Sequence, residues 1–290
     1  MTRIIQSLSE ISDRYPALYV DLWGCVHNGI TGYPEAVAAL QAYRATGGTV
    51  ILVTNAPRSR HEVARQLERF NVPAECYDDI ASSGDSARSA MFQGTVGRKV
   101  WFMGTDFDLP FFEPLSLIDT PVEIERVALE EAEGIVCCGP FDSHADLEEN
   151  QEAFAYASAK GLKLLCANPD IVVDRGERRE WCAGALARLY TEMGGESLYF
   201  GKPHGPIYDL ARRRLKALGK SADTAGILAI GDGIATDIKG AMGEGIDALF
   251  ITGGLAASET RTTQQPEPAA LAAYLDKENC QPAYSIGFLR

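Results

Sequence analysis

Short apolar runs alternate with amphipathic stretches along this chain, and each apolar run ends in a polar loop. "ALYVDL" (17–22) reads as a buried strand, and "PEAVAALQAYRATGG" (34–48) as a helix with Pro34 in its first turn and glycines past its end. "TVILV" (49–53) is the next strand, followed by the loop "TNAPR" and a helix over "SRHEVARQLERF" (59–70). This order predicts a parallel sheet with helices on both faces, because parallel neighbours need a crossover connection. The order returns in "SLYFGKP" (197–203), "IYDLARRRLKALG" (207–219), "GILAI" (226–230), "ATDIKGAMGEG" (235–245) and "DALFIT" (247–252), the last read as the final strand.

Between these halves lies a second alternating region. It holds "KVWFM" (99–103), "GIVCCG" (134–139), a helix over about 143–159, "LKLLCA" (162–167) and a helix from about 180. The expected fold is α/β: a Rossmann-like, doubly wound parallel-sheet core over 1–82 and 197–290, with an inserted α/β domain over 83–196. "ASSGDSARSA" (81–90), at the handover, reads as a hinge from its small residues.

Composition narrows the function. The balance of 40 acidic against 27 basic residues gives a formal charge of −13, and no basic stripe offsets it, so a nucleic-acid partner is not expected. No apolar run reaches the roughly 18 residues that cross a bilayer, so no membrane association is expected. "MTRIIQSLSEISDRYP" is too polar for a signal peptide, and the expected location is the cytoplasm. The seven cysteines form no Cys-x-x-Cys pair, so zinc or redox chemistry has little support and buried thiols are expected.

In parallel sheets ligands bind beyond the carboxyl ends of the strands. There the sequence places Asp21, Thr54-Asn55, Lys202, Asp232 and Asp237. Singly, each suits a turn, a cap or a surface loop. Together, three carboxylates suit Mg²⁺, a hydroxyl and an ammonium suit phosphoryl oxygens, and Asp21 suits a nucleophile.

The stretches "DLWGCVHNG", "LVTNAPR", "GKPHGPIY" and "IGDGIATDIKGA" resemble, in order and spacing, the four motifs of the haloacid dehalogenase superfamily. The insertion, with "CANPD" (166–170) near its end, resembles the α/β cap of its NagD-like class. The resemblance implies Asp21 as nucleophile, Thr54 and Asn55 as phosphoryl-binding groups, and Lys202 as the neutralising cation. It implies Mg²⁺ held by Asp21, the backbone carbonyl of Trp23, Asp232 and Asp237, with a small phosphorylated metabolite as substrate and a homodimer through the cap.

One position departs from the family pattern. Trp23 stands where such phosphatases carry a second Asp, which protonates the leaving group and then activates water. Indole donates one N–H and does not titrate usefully, and general acid–base help is worth about 10²–10⁴ in rate. Three readings follow: a phosphatase in which another group, such as His27 or His204, supplies the acid; a phosphometabolite-binding protein with little turnover; or a carbon–halogen hydrolase, against which the metal acids Asp232 and Asp237 weigh. Asn168 and Asp170 are candidate substrate contacts, with an Asx turn as the alternative. For Asp142-Ser143-His144 a helix N-cap is favoured over a triad.

Overall fold

The computed structural model describes residues 2–113, 120–175, 178–220 and 223–290. The chain separates into two compact units. The first comprises 1–54, 61–81 and 208–290; the second comprises 55–60 and 82–207.

The first unit opens with β1 (Arg3–Ile4), β2 (Ala17–Val20), α1 (Pro34–Ala45), β3 (Thr49–Thr54) and α2 (Arg60–Arg69), followed by β4 (Asp79–Ser82) at its edge. The second follows with α3 (Ser83–Phe92), β5 (Lys99–Met103), β6 (Glu125–Arg126), β7 (Gly134–Cys137), α4 (Gln151–Ala159), β8 (Lys163–Cys166), β9 (Val172–Arg175), β10 (Arg178–Trp181), α5 (Ala183–Glu192) and β11 (Glu196–Tyr199). The chain then returns through α6 (Gly205–Ala217), β12 (Ile227–Gly231), α7 (Lys239–Gly243), β13 (Asp247–Ile251), α8 (Pro268–Lys277) and β14 (Tyr284–Ile286).

The first unit is built on a seven-stranded sheet in the order β1-β14-β13-β12-β2-β3-β4. Its central strands β2, β3 and β12 are buried along their whole length. That accounts for their continuous apolar sequences: a parallel sheet covered on both faces has no wet side. β2 pairs in parallel with β12 on one side and β3 on the other, with Val20 opposite Ile230 and Leu52. From β2 the chain moves outward to β3 and β4, and β12 starts the opposite direction through β13 to β14. The order therefore reverses between β2 and β12, the crevice position of doubly wound sheets.

The second unit has its own parallel five-stranded sheet, β11-β8-β7-β5-β6. Phe154, Leu164, Leu186 and Tyr190 are fully buried on one face, and Met91, Val100, Val136 and Leu165 on the other. β11 was read from sequence as opening the second core segment, yet it pairs with β8 in this sheet. Strand pairing is a long-range choice that a local apolar run does not encode.

Several local expectations are corrected. The stretch 81–90 is the end of β4 and most of α3, whose residues are all buried, so it is ordered rather than loose, and the boundary between the two units falls within it at Ala81–Ser82. Its small side chains let other backbone come close: a Cβ on Gly84 would overlap the backbone of Arg58. Helix α4 starts at Gln151, later than about 143, because Asp146 caps a preceding 3₁₀ turn over Leu147–Asn150. Strand β13 is followed by a further three-residue strand, β14, too short for a periodic signal. The antiparallel β9–β10 pair was also absent from the sequence reading. Among the described residues, no helix is long and apolar enough to cross a membrane.

Candidate active site

The switch point puts two acids side by side. Asp21 follows β2 directly, and its N–H donates to the Ile230 carbonyl of β12 at 2.8 Å. Asp232 lies two residues beyond Ile230 on the neighbouring strand. Both are buried, 8% and 6% exposed. One ligand atom each from Asp21, Cys25 and Asp232 lies within 4.8 Å of the others. Cys25 was not singled out from sequence; its one signal was its place in the glycine loop after Asp21.

Backbone geometry sets this arrangement. Gly24 has φ +74°, a region that costs an L-residue roughly 1–2 kcal/mol. A Cβ there would also overlap the Asp232 carboxylate. Asp232 Oδ2 accepts the Leu255 N–H at 3.0 Å, which aims the carboxylate from the loop after β13. Asp237 is not part of the three-residue cluster. It sits in a π-helical turn, Ile234–Ile238, where its Oδ2 accepts the Gly233 N–H at 3.0 Å. Thr54 is buried at the tip of β3.

The loop after β2 also answers where Trp23 goes. Its six-membered ring lies over Gly29, at φ +83°, where a Cβ would collide with it. It meets the His27 ring edge-on at 5.3 Å, and His27 in turn meets Phe70 at 5.0 Å. His27 is 3% exposed, and its Nδ1 accepts the Gly29 N–H at 3.0 Å. An accepting Nδ1 leaves the imidazole proton on Nε2. Burial pulls the His27 pKa from 6.5 to about 4, so the ring is neutral at physiological pH. Indole, imidazole and Phe70 thus form an aromatic cluster that holds the loop.

The second unit holds the other candidate residues. The Asn55 side chain brackets Lys202: its Oδ1 accepts the Lys202 N–H at 2.7 Å, and its Nδ2 donates to the Lys202 carbonyl at 3.1 Å. The same Nδ2 donates to Asp170 Oδ1 at 2.8 Å. Lys202 is 4% exposed and precedes a cis peptide bond to Pro203. The loop carrying Asn55 is tied to the start of α3, where Gly84 N–H donates to the Ala56 carbonyl and Ser82 Oγ to the Arg58 carbonyl, at 3.0 and 2.6 Å.

Asn168 and Asp170 form the Asx turn weighed in the sequence: Asn168 Oδ1 accepts the Asp170 N–H at 3.0 Å. His204 stacks on Tyr199 at 4.8 Å, and burial lowers its pKa. In the exposed Asp142-Ser143-His144 stretch, Asp142 accepts the His144 backbone N–H, a turn contact. All seven cysteines are buried thiols outside any disulfide, and burial pushes the Cys137, Cys138 and Cys166 thiols up.

A parallel α/β chain with carboxylates gathered at its sheet's switch point defines the class. The comparisons define the family. A family model described as haloacid dehalogenase-like hydrolase matches residues 18–113, and a second, HAD-hydrolase-like, matches 199–277. A solved haloacid dehalogenase-like hydrolase from Brucella suis 1330 is 38% identical, has a TM-score of 0.85, and is matched over 99% of this chain and 100% of its own. This chain belongs to the haloacid dehalogenase-like hydrolase family.

Two relatives carry substrate-bearing names. A D-glycerol 3-phosphate phosphatase of Mycobacterium tuberculosis is 26% identical over 250 residues, which is 86% of this chain and 66% of that protein. A dihydroxyacetone phosphatase of Corynebacterium glutamicum is 28% identical over 96 residues, 33% of each. The chain thus spans just under two thirds of the first relative's length and one third of the second's.

Proposed function

We propose that this protein is a phosphatase that hydrolyses a small phosphorylated metabolite through an aspartyl-phosphate on Asp21. The observation that carries this reading is the pair of buried carboxylates, Asp21 and Asp232, gathered at the switch point of the sheet. Membership of the family and the phosphatase names of the two relatives support it.

In this reading an Asp21 carboxylate oxygen attacks phosphorus, and the alcohol or acid leaves. Water then cleaves the acyl-phosphate and restores the carboxylate. Thr54 and Asn55 are assigned to the phosphoryl oxygens, and Lys202 to neutralising their charge. The close approach of Asp21 and Asp232 suits Mg²⁺, which binds through one or two carboxylates and keeps several waters. Asp21, the residue-23 carbonyl, Asp232 and Asp237 are the proposed ligands, and the ion would supply positive charge against the phosphoryl group. The carbonyl is available whatever side chain position 23 carries.

The test is phosphate release from a panel of phosphorylated metabolites that includes glycerol 3-phosphate, with Mg²⁺ and with EDTA, for the wild type and Asp21→Asn. Release that needs Mg²⁺ and vanishes in the variant is expected. The indole at position 23 favours a second reading, a phosphometabolite-binding protein with little turnover. That reading predicts no release while one compound raises the melting temperature.

A further inference from the structure

The side chain two residues after Asp21 bears on which phosphates this site can cleave, and the inference below rests on the hydrolase reading above. Trp23 is committed to its own loop: its ring covers Gly29 and meets His27 edge-on at 5.3 Å. An indole in that place carries one N–H that does not titrate usefully, so it cannot transfer a proton to a departing oxygen. The neighbouring imidazole packs edge-on against both Trp23 and Phe70 and is 3% exposed; its Nδ1 accepts the Gly29 N–H, and the one proton it keeps, on Nε2, belongs to a ring with almost no surface for a substrate to meet. Expulsion of an alkoxide without protonation is the hard case in phosphoryl transfer. Expulsion of a carboxylate, enolate or phenolate is not.

We propose that Trp23 restricts the site to phosphates of acidic leaving groups (acyl, enol or aryl phosphates), whose oxygen departs as an anion. In the first step the Asp21 O–P bond forms and the P–O bond to the leaving group breaks, the electron pair leaving with that oxygen. In the second step a water oxygen attacks phosphorus and the Asp21 O–P bond breaks. Both water protons end on the released phosphate, which leaves as dihydrogen phosphate and equilibrates with solvent, and the carboxylate is regenerated. No oxidant or further reactant enters. The same missing group would have activated that water, so the second step is slow and common to every substrate. Phosphorylated protein therefore accumulates with good leaving groups.

The experiment is a leaving-group series with Mg²⁺ present: substituted aryl phosphates, an acyl phosphate, an enol phosphate and alkyl phosphates, assayed for kcat and KM and in a rapid-mix burst. The expected result is a kcat/KM that falls steeply as the leaving group becomes more basic. Alkyl phosphates should trail by about 10²–10⁴ beyond what their intrinsic reactivity accounts for. The aryl phosphates should share one kcat and show a burst of phenol release. Trp23→Asp should flatten the dependence by raising the alkyl phosphates, whereas Trp23→Phe, which keeps an aromatic ring and adds no acid, should leave it steep. If Trp23→Asp does not fold, the wild-type dependence alone decides.

A flat wild-type dependence, with release that needs Asp21, overturns this inference and leaves the hydrolase reading intact. Cys25 is then the first residue to replace in search of the proton donor. A steep dependence that Trp23→Phe flattens also overturns it. No release from any member of the series overturns the hydrolase reading, and this inference with it.

Discussion

The two sheets of this protein are built alike and used differently at their strand tips. Both are parallel, both have strands buried on two faces, and both reverse direction once. In the seven-stranded sheet the reversal falls between β2 and β12, and buried carboxylates follow both strands. In the five-stranded sheet it falls at β5, and acids follow there too. Asp108, just past β5, accepts hydrogen bonds from the N–H and Oγ of Thr105, each at 2.9 Å, as the reciprocal half of a helix cap. The β7 tip carries Cys137 and Cys138, buried with thiols pushed up. An acid after a strand thus has two fates, and what separates them is whether a second strand brings another acid beside it.

The comparison is broken most directly at those acids. Asp21→Asn is expected to lower phosphate release by about 10⁴-fold or more. Asp108→Asn, measured in the same assay, should leave turnover unchanged and cost only a cap, about 1 kcal/mol. Equal losses of activity would show that the second sheet also carries chemistry.

Core truncations come next. Leu18→Ala in β2 and Leu164→Ala in β8, both fully buried, should each cost about 2–5 kcal/mol. Chemical denaturation followed by tryptophan fluorescence separates two outcomes. One shared transition that moves with either variant means that the units unfold together. Two transitions, each moved by one variant, mean that each sheet melts alone.

Glycine replacements sharpen the comparison at the level of backbone. Gly24 and Gly161 both have positive φ, but only Gly24 touches another group, the Asp232 carboxylate. Gly161→Ala should cost about 1–2 kcal/mol from conformation alone. Gly24→Ala should cost more and should also reduce phosphate release, since the carboxylate must move. Equal unfolding costs and unchanged turnover would contradict the packing of Asp232 against this loop.

The last comparison concerns pH. His27 has a folded pKa lowered by burial to about 4, so between 6.5 and 4 the unfolded chain binds a proton that the folded one does not. Stability is therefore fully present above pH 6.5 and falls as the pH drops through that window, with a slope of at most about 1.4 kcal/mol per pH unit. His27→Phe should remove this slope in urea melts taken from pH 7 to pH 4. His204, stacked on Tyr199, has its pKa lowered in the same direction and should contribute a slope of the same sign. A slope that persists undiminished in His27→Phe would place the responsible group elsewhere.

Much of this molecule is legible in its sequence. The apolar runs that became β2, β3, β5, β7, β8, β12 and β13 were visible because strands of a twice-covered parallel sheet need continuous apolar sequence. The acids at their ends were visible because such a sheet presents its carboxyl ends to ligands. The short outer strands β1 and β14 were not, since two or three residues carry no period. Nor was the buried helix α3, because Ser, Gly and Ala read as flexible when they are chosen to let backbone come close.

By itself the sequence determined the class of fold, the presence of an insertion, and the acids, hydroxyl and ammonium that stand after the strands. These are local properties, set by hydrophobic period, turn chemistry and residue type. Only the tertiary structure decided that β11 joins the five-stranded sheet, that Cys25 stands with Asp21 and Asp232, that Asn55 brackets Lys202, and that Trp23 and His27 pack against each other. Each of these is a meeting of two or more side chains or strands, and which groups meet is fixed by how the chain closes on itself.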